Sequence, residues 1–178
     1  MRCINWILLL FLVSSCNKSF EINEYKKKET VLFNSKAVHF SDPENFDYFI
    51  IKLTGKDVLN SQFEFLIINS IQDTLFYEKG ESEVLIGYGL IGNEKSVDSS
   101  VAYITNRVNT FLDEKNFRSP AIRLDESYDS DYSDSIAWHS VKQNEHSVSF
   151  YFIIGEENMR WIAFSVRLNK VVVIHSCC

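Results

Sequence analysis

Residues 97–115 carry the clearest periodic pattern in the chain. Val97, Val101, Ile104, Val108, Phe111 and Leu112 recur at three- and four-residue spacing, which predicts an amphipathic helix with one apolar stripe. Ser96 or Asp98 suits its start, and Asp98 also complements the positive end of the helix dipole. Elsewhere apolar positions alternate. Phe63, Phe65 and Ile67 predict a strand over 62–69, and 74–78 a second one after the polar stretch 69–73. Residues 31–40 suit a first strand or docking segment, and 46–53 a core segment whose type the pattern leaves open. Residues 84–91 are a further strand candidate.

The C-terminal pattern predicts a four-strand antiparallel meander over 136–143, 146–154, 160–168 and 171–177. Asn144-Glu145 and Asn169-Lys170 serve as two-residue connections, because asparagine tolerates the positive φ such turns need. The second turn would pair 166 with 173 and 164 with 175. Alternation then gives a core face running from Ala137, His139 and Val141 through Phe150, Phe152, Ile162, Phe164, Val166 and Leu168 to Val173 and His175. The opposite face holds Trp138, Tyr151, Trp161 and Arg167. These are the residue types that dominate binding interfaces, so the four form a candidate binding face. The body, residues 31–178, reads as a single α+β domain whose C-terminal meander packs against the helix at 97–115.

Composition narrows the function. Hydrophobic residues make up 46% of the chain, enough to fill a core and to exclude wholesale disorder. Eighteen Lys and Arg stand against 24 Asp and Glu, a net charge of −6. That balance argues against nucleic acid as a partner and would steer a basic protein instead.

Residues 1–15 read MRCINWILLLFLVSS: a short positive start at Arg2, an apolar run over 7–13, then the small Ser14 and Ser15. This is the layout of a signal peptide, with a run too short to span a bilayer of about 30 Å. Val13-Ser14-Ser15-Cys16 resembles the lipobox of bacterial lipoproteins, with Val where Leu is commonest. The resemblance covers residues 1–16 only. It implies cleavage before Cys16, acylation of the Cys16 thiol and amine, and attachment to the bacterial cell envelope. By the same resemblance, Asn17 rather than Asp implies the outer membrane. The organisation is then a signal peptide at 1–15, a lipid-anchored polar tether at 16–30 and the domain at 31–178.

Sequence motifs supply little chemistry. Residues 87–92, GYGLIG, match G-x-G-x-x-G, but four residues intervene before the helix and no parallel strand follows. His139 and His175, three strand spacings apart in the meander, lie too far from each other to share a metal. Cys177 and Cys178 splay apart on a strand and lack further ligands, and the acidic run 125–134 lacks the glycine and distal glutamate of a calcium loop. No catalytic residue, metal or cofactor is nominated. The chain is therefore expected to be a lipid-anchored, non-catalytic binding module, with neutralisation of a toxin as an immunity-type form of that role. The alternative is a small-ligand carrier or hydrolase using the aromatic face. The expected partners are the bilayer, through acylated Cys16, and a protein.

Overall fold

The computed structural model describes residues 22–26, 29–87, 89–90 and 96–177. Cys16, the signal segment and most of the tether lie outside them. β1 (Thr30–Val38), β2 (Asp47–Gly55), β3 (Ser61–Ile68) and β4 (Thr74–Glu81) form an antiparallel sheet in that order. β2 hides its period because both its faces are buried, with Ile50 and Ile51 each at 0% exposure. Its end is fixed by a turn in which Asp57 Oδ1 accepts from the amides of Leu59 and Asn60. A Cβ on Gly55 would lie 2.3 Å from the Asn60 carbonyl oxygen, so only glycine fits there.

The strand expected at 84–91 is not formed where the chain is described. A 3₁₀ turn (Ser82–Leu85) tucks Leu85 into the core, and the carbonyls of Glu83, Val84 and Ile86 are taken by Ile86, Gly155 and Gly89 rather than by a ladder. α1 (Val97–Thr110) then starts on a capping box, Ser96 Oγ accepting from Ser99 N and Ser99 Oγ from Ser96 N. It ends five residues short of the expected 115, where Asn116 Nδ2 donates to the carbonyls of Thr110 and Phe111.

The second antiparallel sheet contains β5 (Phe117–Arg118), β6 (Ser149–Ile153), β7 (Met159–Ser165) and β8 (Lys170–Cys177), in that order. β5 is the edge strand beside β6. The expected first strand, 136–143, is instead helix α2 (Ser135–Lys142), capped by Asp134, whose Oδ1 accepts from Ala137 N at 2.8 Å. The β7–β8 connection also differs. Four residues, 166–169, link the closing pair Ser165 and Lys170, with Asn169 at φ 50° and Ser165 Oγ accepting from Leu168 N. Phe164 therefore pairs with Val171 rather than 175, and Ile162 with Val173. The slip is an even number of residues, so Ile162, Phe164, Val171 and Val173 still face the main core. Val166 is left 64% exposed. An irregularity between Trp161 and Ile162 puts His175 opposite Trp161.

The two sheets face each other across a phenylalanine core. Phe49 and Phe65 of the first sheet meet Phe150 at ring-centroid distances of 5.2 and 5.4 Å, and Phe65 meets Phe152 at 5.4 Å. Phe111, just past α1, touches Phe150 and Phe152. The first sheet thus shares with α1 the task of covering the meander, and Asn34 Nδ2 ties β1 to the Val108 carbonyl. On the other side of the second sheet, Ala137, Trp138 and Val141 of α2 pack with Ala163, Val172 and Ile174. The result is an α+β fold.

Candidate functional site

α2 and the acidic run divide the outer face of the second sheet into a covered part and an open one. Trp138 belongs to the covered part: it is 7% exposed, edge-on to Tyr128, with Lys142 Nζ 4.7 Å from its ring centroid. The acidic run lies along β8, held by Ser176 N donating to the Tyr132 carbonyl and Ser133 Oγ to the Ile174 carbonyl, each at 2.8 Å. His175 lies beside Tyr132 and His139 beside Tyr128, the ring pairs tilted by 32° and 34°, and with His139 on α2 the expected strand row joining the two histidines does not exist.

In the open part, Tyr151 and Trp161 face each other across β6 and β7, ring centroids 5.0 Å apart. Arg118 of β5 lays its guanidinium 4.8 Å from the Trp161 centroid. A two-pronged bond to Glu126 (2.7 and 3.2 Å) and a bond from Nε to the Ala121 carbonyl hold the arginine in place. Its side chain is still 31% exposed. Arg118, Glu126, Asp129, Trp138, Trp161 and His175 are among the residues lining a pocket of about 310 Å³ beside this ledge. The arrangement offers aromatic surface, one rigid cation and a carboxylate rim.

Alternation alone brought Tyr151 and Trp161 together. It missed Arg118, which sits on a strand two residues long, too short to carry a period. Arg167 is not part of the ledge. It projects from the β7–β8 turn onto a separate groove of about 800 Å³, shared with the β1–β2 loop and the end of α2. Asp47 shapes that loop, its carboxylate accepting from the amides of Ser41 and Phe40 and from Ser41 Oγ. Burial pushes the Asp47 carboxyl above its ordinary range despite those bonds.

Among the described residues, no group of three His, Cys, Asp or Glu is placed to hold a metal ion. Cys177 is disulfide-bonded. No described helix is long and apolar enough to cross a membrane. No protein-family model matches the chain, and no curated protein or solved structure matches it either.

Proposed function

We propose that this is a lipid-anchored lipoprotein of the bacterial envelope that acts as a non-catalytic binding module, docking a basic protein on the Tyr151–Trp161–Arg118 ledge. The observation that carries the reading is the fixing of Arg118 over Trp161 by Glu126 and the Ala121 carbonyl. A side chain already held in one geometry loses little conformational freedom when a partner arrives, so more of its contact energy appears as affinity. Tryptophan, tyrosine and arginine are also the types most often found at the energetic centre of interfaces. The net charge of −6 and the carboxylate of Asp129 beside the ledge favour a cationic partner. The lipobox resemblance at residues 13–16 supports the membrane anchor.

The test is a pull-down from the native envelope with the tagged chain, its Cys16→Ala variant and its Trp161→Ala variant. Cys16→Ala should release the protein from the membrane fraction and abolish incorporation of labelled fatty acid. Trp161→Ala should leave it anchored and weaken capture of a stoichiometric basic partner by at least about tenfold. Undiminished capture by Trp161→Ala, or no stoichiometric partner at all, would remove the ledge as the docking site. A basic toxin as the captured protein would meet the immunity-type form of the reading.

A further inference from the structure

The groove that receives Arg167 is distinct from the aromatic ledge and is built differently. At about 800 Å³ it falls within the range of sites that take small organic ligands. Three separate pieces of chain converge on it: the β1–β2 loop, the end of α2 and the β7–β8 turn. Phe40, Pro43, Val148 and Val166 give it apolar walls. Val166 keeps 64% of its surface exposed in a hairpin turn, a place that ordinarily carries polar residues.

The polar groups on the groove are unequally engaged. Asp42 is the acidic one, and its oxygens are occupied by its own turn: Oδ1 accepts from the amides of Glu44 and Asn45, and Oδ2 from Asn45 Nδ2. The carbonyl of Val141, at the end of α2, accepts from Asn144 N. Arg167, in contrast, forms no ion pair with any described residue. Its guanidinium carries five donors in a fork that matches a carboxylate or phosphate. His39 donates from Nδ1 to the Asn45 carbonyl and rests against the Phe46 ring, 4.0 Å between centroids, so that N–H is used within the loop.

We infer that this groove binds an amphiphile with one anionic head, the head on Arg167 and the apolar chain between Phe40, Val148 and Val166. The one carboxylate lining the groove is taken up by its own turn, while the arginine has no ion pair among the described residues, so an anionic head gains charge-assisted bonds and a cationic one meets an unneutralised arginine. The apolar walls supply the remaining affinity by burying a hydrocarbon chain.

Calorimetric titration of the full-length chain with decanoate, decanol and decyltrimethylammonium tests this. Decanoate should bind with one-to-one stoichiometry, and the ammonium compound should show no saturable binding up to about 1 mM. Arg167→Gln should weaken decanoate about tenfold or more. Val166→Asp should weaken it too, by placing a carboxylate where the chain enters. Both positions are exposed turn residues, so their circular dichroism should match the parent chain. Decyl phosphate in place of decanoate separates a fatty-acid head from a phospholipid-like one, and saturable binding of either supports the site. Equal binding of all three decyl compounds, decanoate binding unchanged in Arg167→Gln, or no saturable binding of either anion would overturn it. None of these outcomes bears on Trp161, so the ledge and the groove stand or fall separately.

Discussion

Two buried polar side chains show opposite solutions to desolvation. Asp47 is 1% exposed but accepts three hydrogen bonds, two of them from the loop amides that begin the β1–β2 turn. Its folded-state pKa is nevertheless raised above 3.8, because desolvation outweighs those bonds. A carboxyl with a raised folded pKa stabilises the fold most when both states are protonated, and that contribution is lost as pH climbs from the unfolded value through the folded one. Asp47→Asn has no such titration. Urea midpoints measured in steps from pH 3 to pH 7 should therefore show the variant gaining on the parent as pH rises above about 4. A constant gap, or one moving the other way, would mean that the carboxylate is better solvated than its burial indicates. Ser149 illustrates the other case: it is fully buried, and its Oγ has no hydrogen-bond partner among the described residues. An unsatisfied hydroxyl carries its desolvation cost with nothing gained, so Ser149→Ala should stabilise the protein by about 1 kcal/mol in urea unfolding. A loss of stability would reveal a partner for the hydroxyl.

At the scale of elements, legibility followed how many residues each pattern had to work with. β3 was plain because Phe63, Phe65 and Ile67 alternate with half-exposed or exposed positions, and α1 because its stripe runs over four turns. Residues 136–143 fit two periods at once. Ala137, His139 and Val141 fit a period of two, while Ala137, Trp138 and Val141 fit a helix, and eight residues are too few to choose between them. The deciding signal was local: Asp134 stands one residue before the segment that turns helical and caps it. Asp134→Ala should cost about 1 kcal/mol and, because α2 carries Trp138 against the second sheet, should also alter tryptophan fluorescence in the folded state. Unchanged stability would show that packing of Ala137, Trp138 and Val141 holds α2 without its cap. The site followed the same logic. Tyr151 and Trp161 were legible as neighbours because the five-residue β6–β7 connection, 154–158, keeps both on one face. Arg118 and the true place of Arg167 depended on a two-residue strand and on a four-residue turn, and neither has a period to read.

For the whole molecule the question is whether the two sheets unfold together. Their sequence ranges barely overlap in purpose: residues 30–81 build the first sheet and 117–177 the second, with α1 between them. Among the described residues they are joined by the aromatic core, by an ion pair from Arg160 Nη1 to Glu78 at 2.7 Å, and by Lys36 Nζ of β1 lying 5.6 Å from the Phe117 ring centroid of β5. Phe65 is central to that core, since its ring meets Phe49 and Phe76 in its own sheet, Phe111 after α1, and Phe150 and Phe152 in the other sheet. A core shared this closely cannot lose one wall and keep its packing density, so the sheets should melt in one transition. Phe65→Ala should cost about 3–5 kcal/mol, the range for emptying a buried phenylalanine site. The placement of the tryptophans makes the coupling directly observable. Trp138 and Trp161, the two within the described residues, both report on the second sheet, whereas Phe65 lies in the first. If the core couples the sheets, Phe65→Ala lowers the midpoint followed by tryptophan fluorescence by the same amount as the midpoint followed by far-ultraviolet circular dichroism. A tryptophan transition left in place while the dichroism splits into two steps would show that each sheet is stable on its own and that the phenylalanine contact between them is incidental.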